Sequence, residues 1–322
     1  MKIVVTGAAG FIGSCMLRKL NDMGHDDIIA VDRLDESMRW KNLVGKRFAD
    51  YIDADDLLDE LLDGRERLIP DMIIHMGANS ATTGTDTREY MDNNYQYTKM
   101  LAEFALKNGI PFLYASSAAT YGDGECGFSD SDEVTSNLRP MNMYGYSKHL
   151  FDLWAIRNKV QNTLIGFKFF NVYGPNEYHK GGMMSLVCKK FDDVVRDKTI
   201  QLFKSHRADC KDGEQKRDFI YVKDVVDAMG YFVEHPDRGG IYNLGSGKAH
   251  SWNDVVRALF QALHIPLNIQ YIDLPEILRD KYQYFTEADV TKLRKAGYVK
   301  PFVALDEAVA DYVSYLKNKS FY

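Results

Sequence analysis

The 322-residue chain is 45% hydrophobic and carries a formal net charge of −6. That supplies core for one large or two moderate domains, and an acidic chain with dispersed basic residues argues against a nucleic-acid partner. Cys15, Cys126, Cys188 and Cys210 form no C-x-x-C pair and no metal-ligand spacing with histidine, so disulfides and a metal site are disfavoured. Met1-Lys2-Ile3 leads directly into a strand and no apolar run reaches bilayer length, so a cytoplasmic protein without a membrane partner is expected.

In chain order, Ile3-Val4-Val5 reads as a buried strand, and Gly7-Ala8-Ala9-Gly10-Phe11-Ile12-Gly13 opens a helical pattern through Leu17 and Leu20. Glycines in that place let the backbone approach a pyrophosphate at a helix N-terminus. Asp32, ending the next apolar run, is suited to accept adenosine ribose hydroxyls. Arg33 and Arg39 suit a ribose 2′-phosphate, so NADP is expected over NAD; the alternative is that both are surface residues. Ala49-Asp50-Tyr51 is expected to end a third strand, Asp50 either bonding adenine or serving as a loop carboxylate. Met72-Ile73-Ile74-His75 is a fourth strand leading into the small-residue turn Met76-Gly77-Ala78-Asn79-Ser80, with His75 expected as a hydrogen-bonded core residue.

A single long helix is predicted from Tyr90 to Lys107, bearing Asn93 and Asn94, one of which would orient the catalytic apparatus. The run from Phe112 to Gly122 is a strand ending in Ser116 and Ser117, and a polar loop follows from Asp123 to Pro140. Tyr144 to Lys159 reads as a helix on which Tyr144 and Lys148, four residues apart, share a face, so that the ammonium favours the phenolate. A strand from Thr163 to Phe169 completes an alternation that predicts an α/β fold: a Rossmann-type doubly wound parallel sheet over residues 1–170. Residues 171–322 are expected to form mainly a smaller C-terminal α/β substrate-binding part, with some segments returning to the first. Within it fall a helix from Met183 to Arg196 carrying Lys189-Lys190, read as a solvated face, and a charged loop from His206 to Lys216. Arg217 to Val225 reads as a strand opening a helix with Asp224 as N-cap. Ile241 to Gly247 is a further strand and turn, and Trp252 to Leu263 is amphipathic.

Ser117, Tyr144 and Lys148 match the hydroxyl, tyrosine and lysine of the extended short-chain dehydrogenase/reductase superfamily, which the chain resembles. Asn93-Asn94-Tyr95-Gln96-Tyr97, the run from Tyr114 to Gly122, the run from Phe170 through His179-Lys180-Gly181 and the run from Arg217 to Val222 resemble, more closely, the ADP-L-glycero-D-manno-heptose 6-epimerase family. This resemblance implies inversion of C6″ of an ADP-heptose by transient oxidation with tightly bound NADP, supplying a heptose precursor for lipopolysaccharide core. It implies catalysis by Tyr144, Lys148, Ser117 and Lys180. Cofactor contacts are implied at Gly7, Gly10, Phe11, Ile12, Gly13, Asp32, Arg33, Arg39, Met76, Gly77, Ala78, Asn79, Ser80, Asn93, Lys148, Val172 and Lys180, and no metal. Substrate contacts are implied at Ser117, Asn171, Lys189, Phe203, Arg217 and Tyr282. Arg217 would meet a diphosphate, against a reading in which it pairs with Asp218. The family assembles as homo-oligomers, pentamers among them. Two departures stand out: the family's usual lysine beyond Asp50-Tyr51 is Ala54 here, and the loop 206–216 is longer than the family pattern.

Three other functions share part of this pattern. A dehydratase needs a carboxylic acid beside the hydroxyl residue, and Ser117 is followed by Ala118-Ala119. A UDP-hexose 4-epimerase shares the Ser, Tyr and Lys but not the His179-Lys180-Gly181 element. A non-catalytic NADP-sensing protein has no use for the full hydroxyl–phenol–ammonium set.

Overall fold

The computed structural model describes residues 1–62, 68–276 and 283–322. Its strands are β1 (Ile3–Thr6), β2 (Ile28–Asp32), β3 (Asp50–Asp53), β4 (Met72–His75), β5 (Phe112–Ser117), β6 (Ile165–Phe169), β7 (Asn171–Tyr173), β8 (Ile200–Phe203), β9 (Lys216–Tyr221), β10 (Gly240–Leu244), β11 (Ala249–Ser251) and β12 (Ile269–Ile272). The principal sheet has the order β3-β2-β1-β4-β5-β6-β10, every pairing parallel. Chain direction across the sheet reverses between β1 and β4, which opens a crevice at their carboxyl ends. Smaller sheets, β11-β9-β7 and β12-β8, lie in the C-terminal half.

Both faces of the large sheet are covered, so its strands are apolar at successive positions rather than alternating. The Phe11–Asp22 and Val222–Glu234 helices pack one face through Cys15, Leu17, Val225 and Met229. The Tyr97–Asn108 and Met143–Arg157 helices pack the other through Leu101, Ala105, Phe151 and Ala155. Phe151, edge-on to Tyr114 of β5, seats the second of these; truncating it to alanine should cost about 3–5 kcal/mol. β10 comes from the C-terminal half and closes the sheet beside β6.

Four boundaries differ from the sequence reading. The Tyr90–Lys107 helix is three segments: Thr87–Glu89, a π-helical turn Tyr90–Gln96 and the α-helix Tyr97–Asn108. Two groups hold the widened turn: the Thr98 hydroxyl takes the Asn94 carbonyl at 2.7 Å, and Tyr90 Oη donates to Ala81 O at 2.5 Å. Asp50 begins β3 instead of ending it. The helix after β9 starts at Val222 with Tyr221 as N-cap, because the Asp224 carboxylate accepts instead from Val303 N–H at 2.9 Å. The segment from Tyr178 to Met183 is a 3₁₀ turn interrupted at Gly181 (φ +52°), and the helix proper is Leu186–Asp197, capped by Ser185. Among the described residues no helix is long and apolar enough to cross a membrane.

Candidate active site

The crevice begins at the turn after β1. Gly7 has φ +66°, and a Cβ there would lie 2.6 Å from the Gly77 nitrogen, so this turn and the one after β4 meet backbone to backbone. Gly10 and Ile12 are half-buried beside it, and Phe11 is buried as the first helical residue. The Asp32 carboxylate, expected at a ribose, also braces this turn: Oδ2 accepts from Ala9 N–H at 2.8 Å and Oδ1 from Arg33 N–H at 2.8 Å. Burial raises its pKa, against the pull of the Ala9 amide and the Arg39 guanidinium.

Both arginines flank the end of β2. Arg39 lies 3.4 Å from Asp32 Oδ1 and 2.5 Å from Asp35 Oδ2. Arg33 is bound to Asp55 at 2.5 Å and to Asn93 Oδ1 at 2.9 Å. Asn93 is therefore held at the β2 edge, and its neighbour Asn94 reaches the Met143–Arg157 helix. Asn94 is fully buried, exchanges hydrogen bonds with the backbone of Asn79 (2.8 and 2.9 Å) and donates to Ser147 Oγ at 3.1 Å. Met76, Gly77, Ala78 and Ser80 surround Asn79 in the turn after β4. Behind that turn His75 is a core residue, as the sequence reading has it. Thr98 spends its proton on Asn94 O, so it accepts from His75 Nε2–H at 2.8 Å; Thr6 Oγ1 then donates to Nδ1 at 2.6 Å and accepts from Gly77 N–H. Burial holds His75 neutral, down to about 3.

The Met143–Arg157 helix starts at Asn142, whose Oδ1 accepts from Gly145 N–H at 2.8 Å. A Cβ on Gly145 would fall 2.6 Å from Ala119 O, so only glycine lets this helix press against the turn that follows Ser117. Tyr144 thereby meets the Ser117 hydroxyl. Burial pushes the phenol upward and that hydroxyl acts against it. Lys148 is 2% exposed, and burial brings it down to about 8. Its Nζ is buried without a hydrogen-bond partner. An unpartnered ammonium is costly unless something else receives it, and beside a backbone cradle for a pyrophosphate it fits a dinucleotide whose ribose hydroxyls it would bind.

Across the crevice, Lys180 is not a solvated loop lysine. Its ammonium lies 5.1 Å above the Phe11 ring, and burial lowers its pKa while the Glu177 carboxylate opposes that. The buried Glu177 accepts from Ser185 N–H and Oγ–H (both 2.6 Å) and from Tyr312 Oη (3.0 Å). Asn42 donates to Ala9 O at 2.9 Å and to Asn176 O at 3.0 Å, with His179 Nδ1 3.3 Å away, so it ties the His179-Lys180-Gly181 segment to the glycine turn. Nothing in its sequence neighbourhood marks Asn42, since its partners lie far along the chain.

The expected substrate residues are dispersed. Asn171 is exposed at the start of β7, followed by the half-buried Val172; Phe203 ends β8. Lys189 is exposed and donates to Gly182 O at 2.6 Å, beside the Lys180 turn. Arg217 is 7% exposed in β9 and donates to the carbonyls of Lys216 and Gln283. Asp218 is occupied elsewhere, accepting from Ser246 (2.6 and 2.7 Å), Gly247 (2.9 Å) and Ala288 (2.9 Å). Tyr282 lies outside the described residues.

A family model described as NAD dependent epimerase/dehydratase matches residues 3–245. The chain is 51% identical over 310 residues to an ADP-L-glycero-D-manno-heptose-6-epimerase of Nitratidesulfovibrio vulgaris, covering 96% of each. The solved ADP-L-glycero-D-manno-heptose-6-epimerase of Helicobacter pylori superposes with TM-score 0.82 at 29% identity, over 98% of this chain and 96% of that one. MoeE5, solved with UDP-glucose and NAD, gives TM-score 0.76 at 25% identity over 99% of both chains. On these grounds the chain belongs to the NAD dependent epimerase/dehydratase family of nicotinamide-dinucleotide enzymes, among its ADP-L-glycero-D-manno-heptose-6-epimerase members.

Proposed function

We propose that the chain inverts C6″ of ADP-D-glycero-β-D-manno-heptose to give the L-glycero epimer, with NADP retained through the cycle. The observation that carries this reading is 51% identity over 96% of the chain to a relative of that name, joined to a complete set of Ser117, Tyr144 and Lys148 at the dinucleotide cradle. When bound, the nicotinamide supplies a hydride acceptor and donor. Tyr144 takes the proton of the substrate hydroxyl and Ser117 hydrogen-bonds the same oxygen. Lys148 stabilises the phenolate, offsetting the burial that otherwise disfavours it.

Inversion points the hydroxyl in opposite directions in substrate and product, so one fixed base serves one face well. Lys180 is the second base in this scheme. Its buried ammonium at the cradle and its downward-shifted pKa support that role. NADP is preferred over NAD because two guanidinium groups, Arg33 and Arg39, flank the end of β2. Arg217, buried in β9, is assigned to the diphosphate.

The test is NMR of ADP-D-glycero-β-D-manno-heptose incubated with the purified protein and no added cofactor. Conversion to the L-glycero epimer is expected, with UDP-glucose unchanged in a parallel incubation. Turnover of UDP-glucose but not of the heptose would assign the chain to 4-epimerisation instead.

A further inference from the structure

One buried charge pair has no role in the chemistry above. Tyr144, Lys148 and Asp152 recur at four-residue intervals on the Met143–Arg157 helix and so share a face. Asp152 is fully buried, as is Lys168 of β6, and Lys168 Nζ lies 2.6 Å from Asp152 Oδ2. Ser116 donates to the same oxygen at 2.7 Å and Tyr114 to Oδ1 at 3.0 Å, both from β5. Lys168 also donates to Thr120 Oγ1 at 2.9 Å, and Thr120 donates onward to the Ser117 carbonyl at 2.8 Å. The β5–β6 register sets Ser116 opposite Lys168. Through these bonds one ion pair joins the helix carrying Tyr144 and Lys148 to the strand end carrying Ser117.

A pair of apolar side chains would pack this space at least as stably, since desolvating two charges consumes most of their attraction. The pair does something an apolar pair cannot, because it puts a negative charge one helical turn from the unpartnered Lys148 ammonium. The other titratable groups around Lys148 offer no such charge. His75 of β4 is held neutral by burial, Tyr114 of β5 is pushed well above its ordinary range, and Tyr144 is raised on the same helix, with Tyr90 of the π-turn beside it. His149, next to Lys148 in sequence, is also held toward its neutral form by burial. Lys168 carries a charge of the opposite effect. Asp132, which also raises the Tyr114 phenol, is paired with Lys292 at 3.7 Å.

We propose that the Asp152–Lys168 pair is a positioning and charge-setting support for the reaction: Asp152 keeps Lys148 an ammonium and ties its helix to the Ser117 strand end, and Lys168 limits the strength of that charge. The proposal rests on the assignment of Tyr144 and Lys148 made above. Burial brings Lys148 to about 8, and Asp152 is the group that opposes the loss of its proton. Activity that needs the Lys148 cation is therefore present below that value and lost as pH rises through it.

The experiment is the pH profile of kcat for the full chain with its own bound dinucleotide, in the wild type, Asp152→Asn, Lys168→Met and the double variant. Asp152→Asn is expected to move the alkaline limb down by about one unit, a tenfold loss of kcat on that limb. Lys168→Met is expected to move it up. The double variant removes both members of the pair, so neither is left buried without the other, and it decides the matter if either single variant does not fold; its limb should fall below the wild-type position with kcat reduced. Folded variants that keep the wild-type limb and kcat would overturn the support role. Wild-type protein that does not epimerise, or a fully active Tyr144→Phe, would instead overturn the catalytic assignment beneath it.

Discussion

At the scale of single residues, the two proposed bases are separable by experiment. Tyr144→Phe removes one oxygen and leaves the ring to pack, so it should retain its dinucleotide while losing turnover by about 10²–10⁴-fold. Lys180→Met keeps the apolar stem over Phe11 and removes the ammonium, and it too should keep the dinucleotide and lose net epimerisation. Epimerisation by Lys180→Met at near the wild-type rate would mean that Tyr144 serves both faces. The arginines make a second case. Replacing Arg33 and Arg39 with alanine should weaken NADP binding relative to NAD by about 1–3 kcal/mol, the loss of a charge-assisted contact. Calorimetric titration of dinucleotide-stripped protein measures this, and equal losses for the two dinucleotides would leave both arginines to their present partners Asp55, Asn93 and Asp35.

At the scale of elements, β4, the glycine turn and the π-turn are joined through His75. Its ordinary pKa is 6.5 and its folded value about 3. Below pH 6.5 the unfolded chain binds a proton that the folded chain refuses, so this contribution to stability is complete above 6.5 and declines as pH falls toward 3, by up to about 1.4 kcal/mol per unit. Urea unfolding between pH 6 and 4.5 should show His75→Gln declining less steeply than wild type by close to one proton. Parallel slopes would mean that the imidazole protonates without unfolding. The π-turn also bears on which of the two asparagines faces the Met143–Arg157 helix. A helical reading from Tyr90 to Lys107 has no means of registering the wider i→i+5 turn, in which it is Asn94 that reaches Ser147.

At the scale of the whole molecule, the alternation of apolar runs, the glycine turn after β1 and the Tyr144–Lys148 spacing were legible, because each is local: a strand, a turn or one helix face encodes it. The Ser117 contact was legible too, since a strand end in a doubly wound sheet faces the crevice. Illegible were the contacts made across the chain, such as Asn42 on Asn176, Lys168 on Asp152 and Tyr312 on Glu177. The last of these couples the Leu305–Asn318 helix to the turn that carries Lys180. Tyr312→Phe leaves the buried Glu177 one donor short and should cost about 1–3 kcal/mol in denaturant unfolding. Faster amide exchange across Tyr178–Met183 should accompany that loss, and unchanged exchange there would show that Ser185 and the Gly174 amide hold Glu177 without Tyr312.

The closing of the large sheet by β10 also bears on how the chain is made. Ile165 of β6 pairs with Gly240, and the register continues to Phe169 and Leu244. On a ribosome, β6 emerges with its outer row of amides and carbonyls open to any extended segment nearby, and its proper neighbour is translated only after β7, β8 and β9. Asn171, Lys189, Phe203 and Arg217, expected at the substrate, are thus synthesised before the nucleotide-binding sheet can be finished. A nascent chain that stalls between Phe169 and Gly240 would present β6 as an open parallel edge strand, the feature through which incomplete sheets pair with other chains.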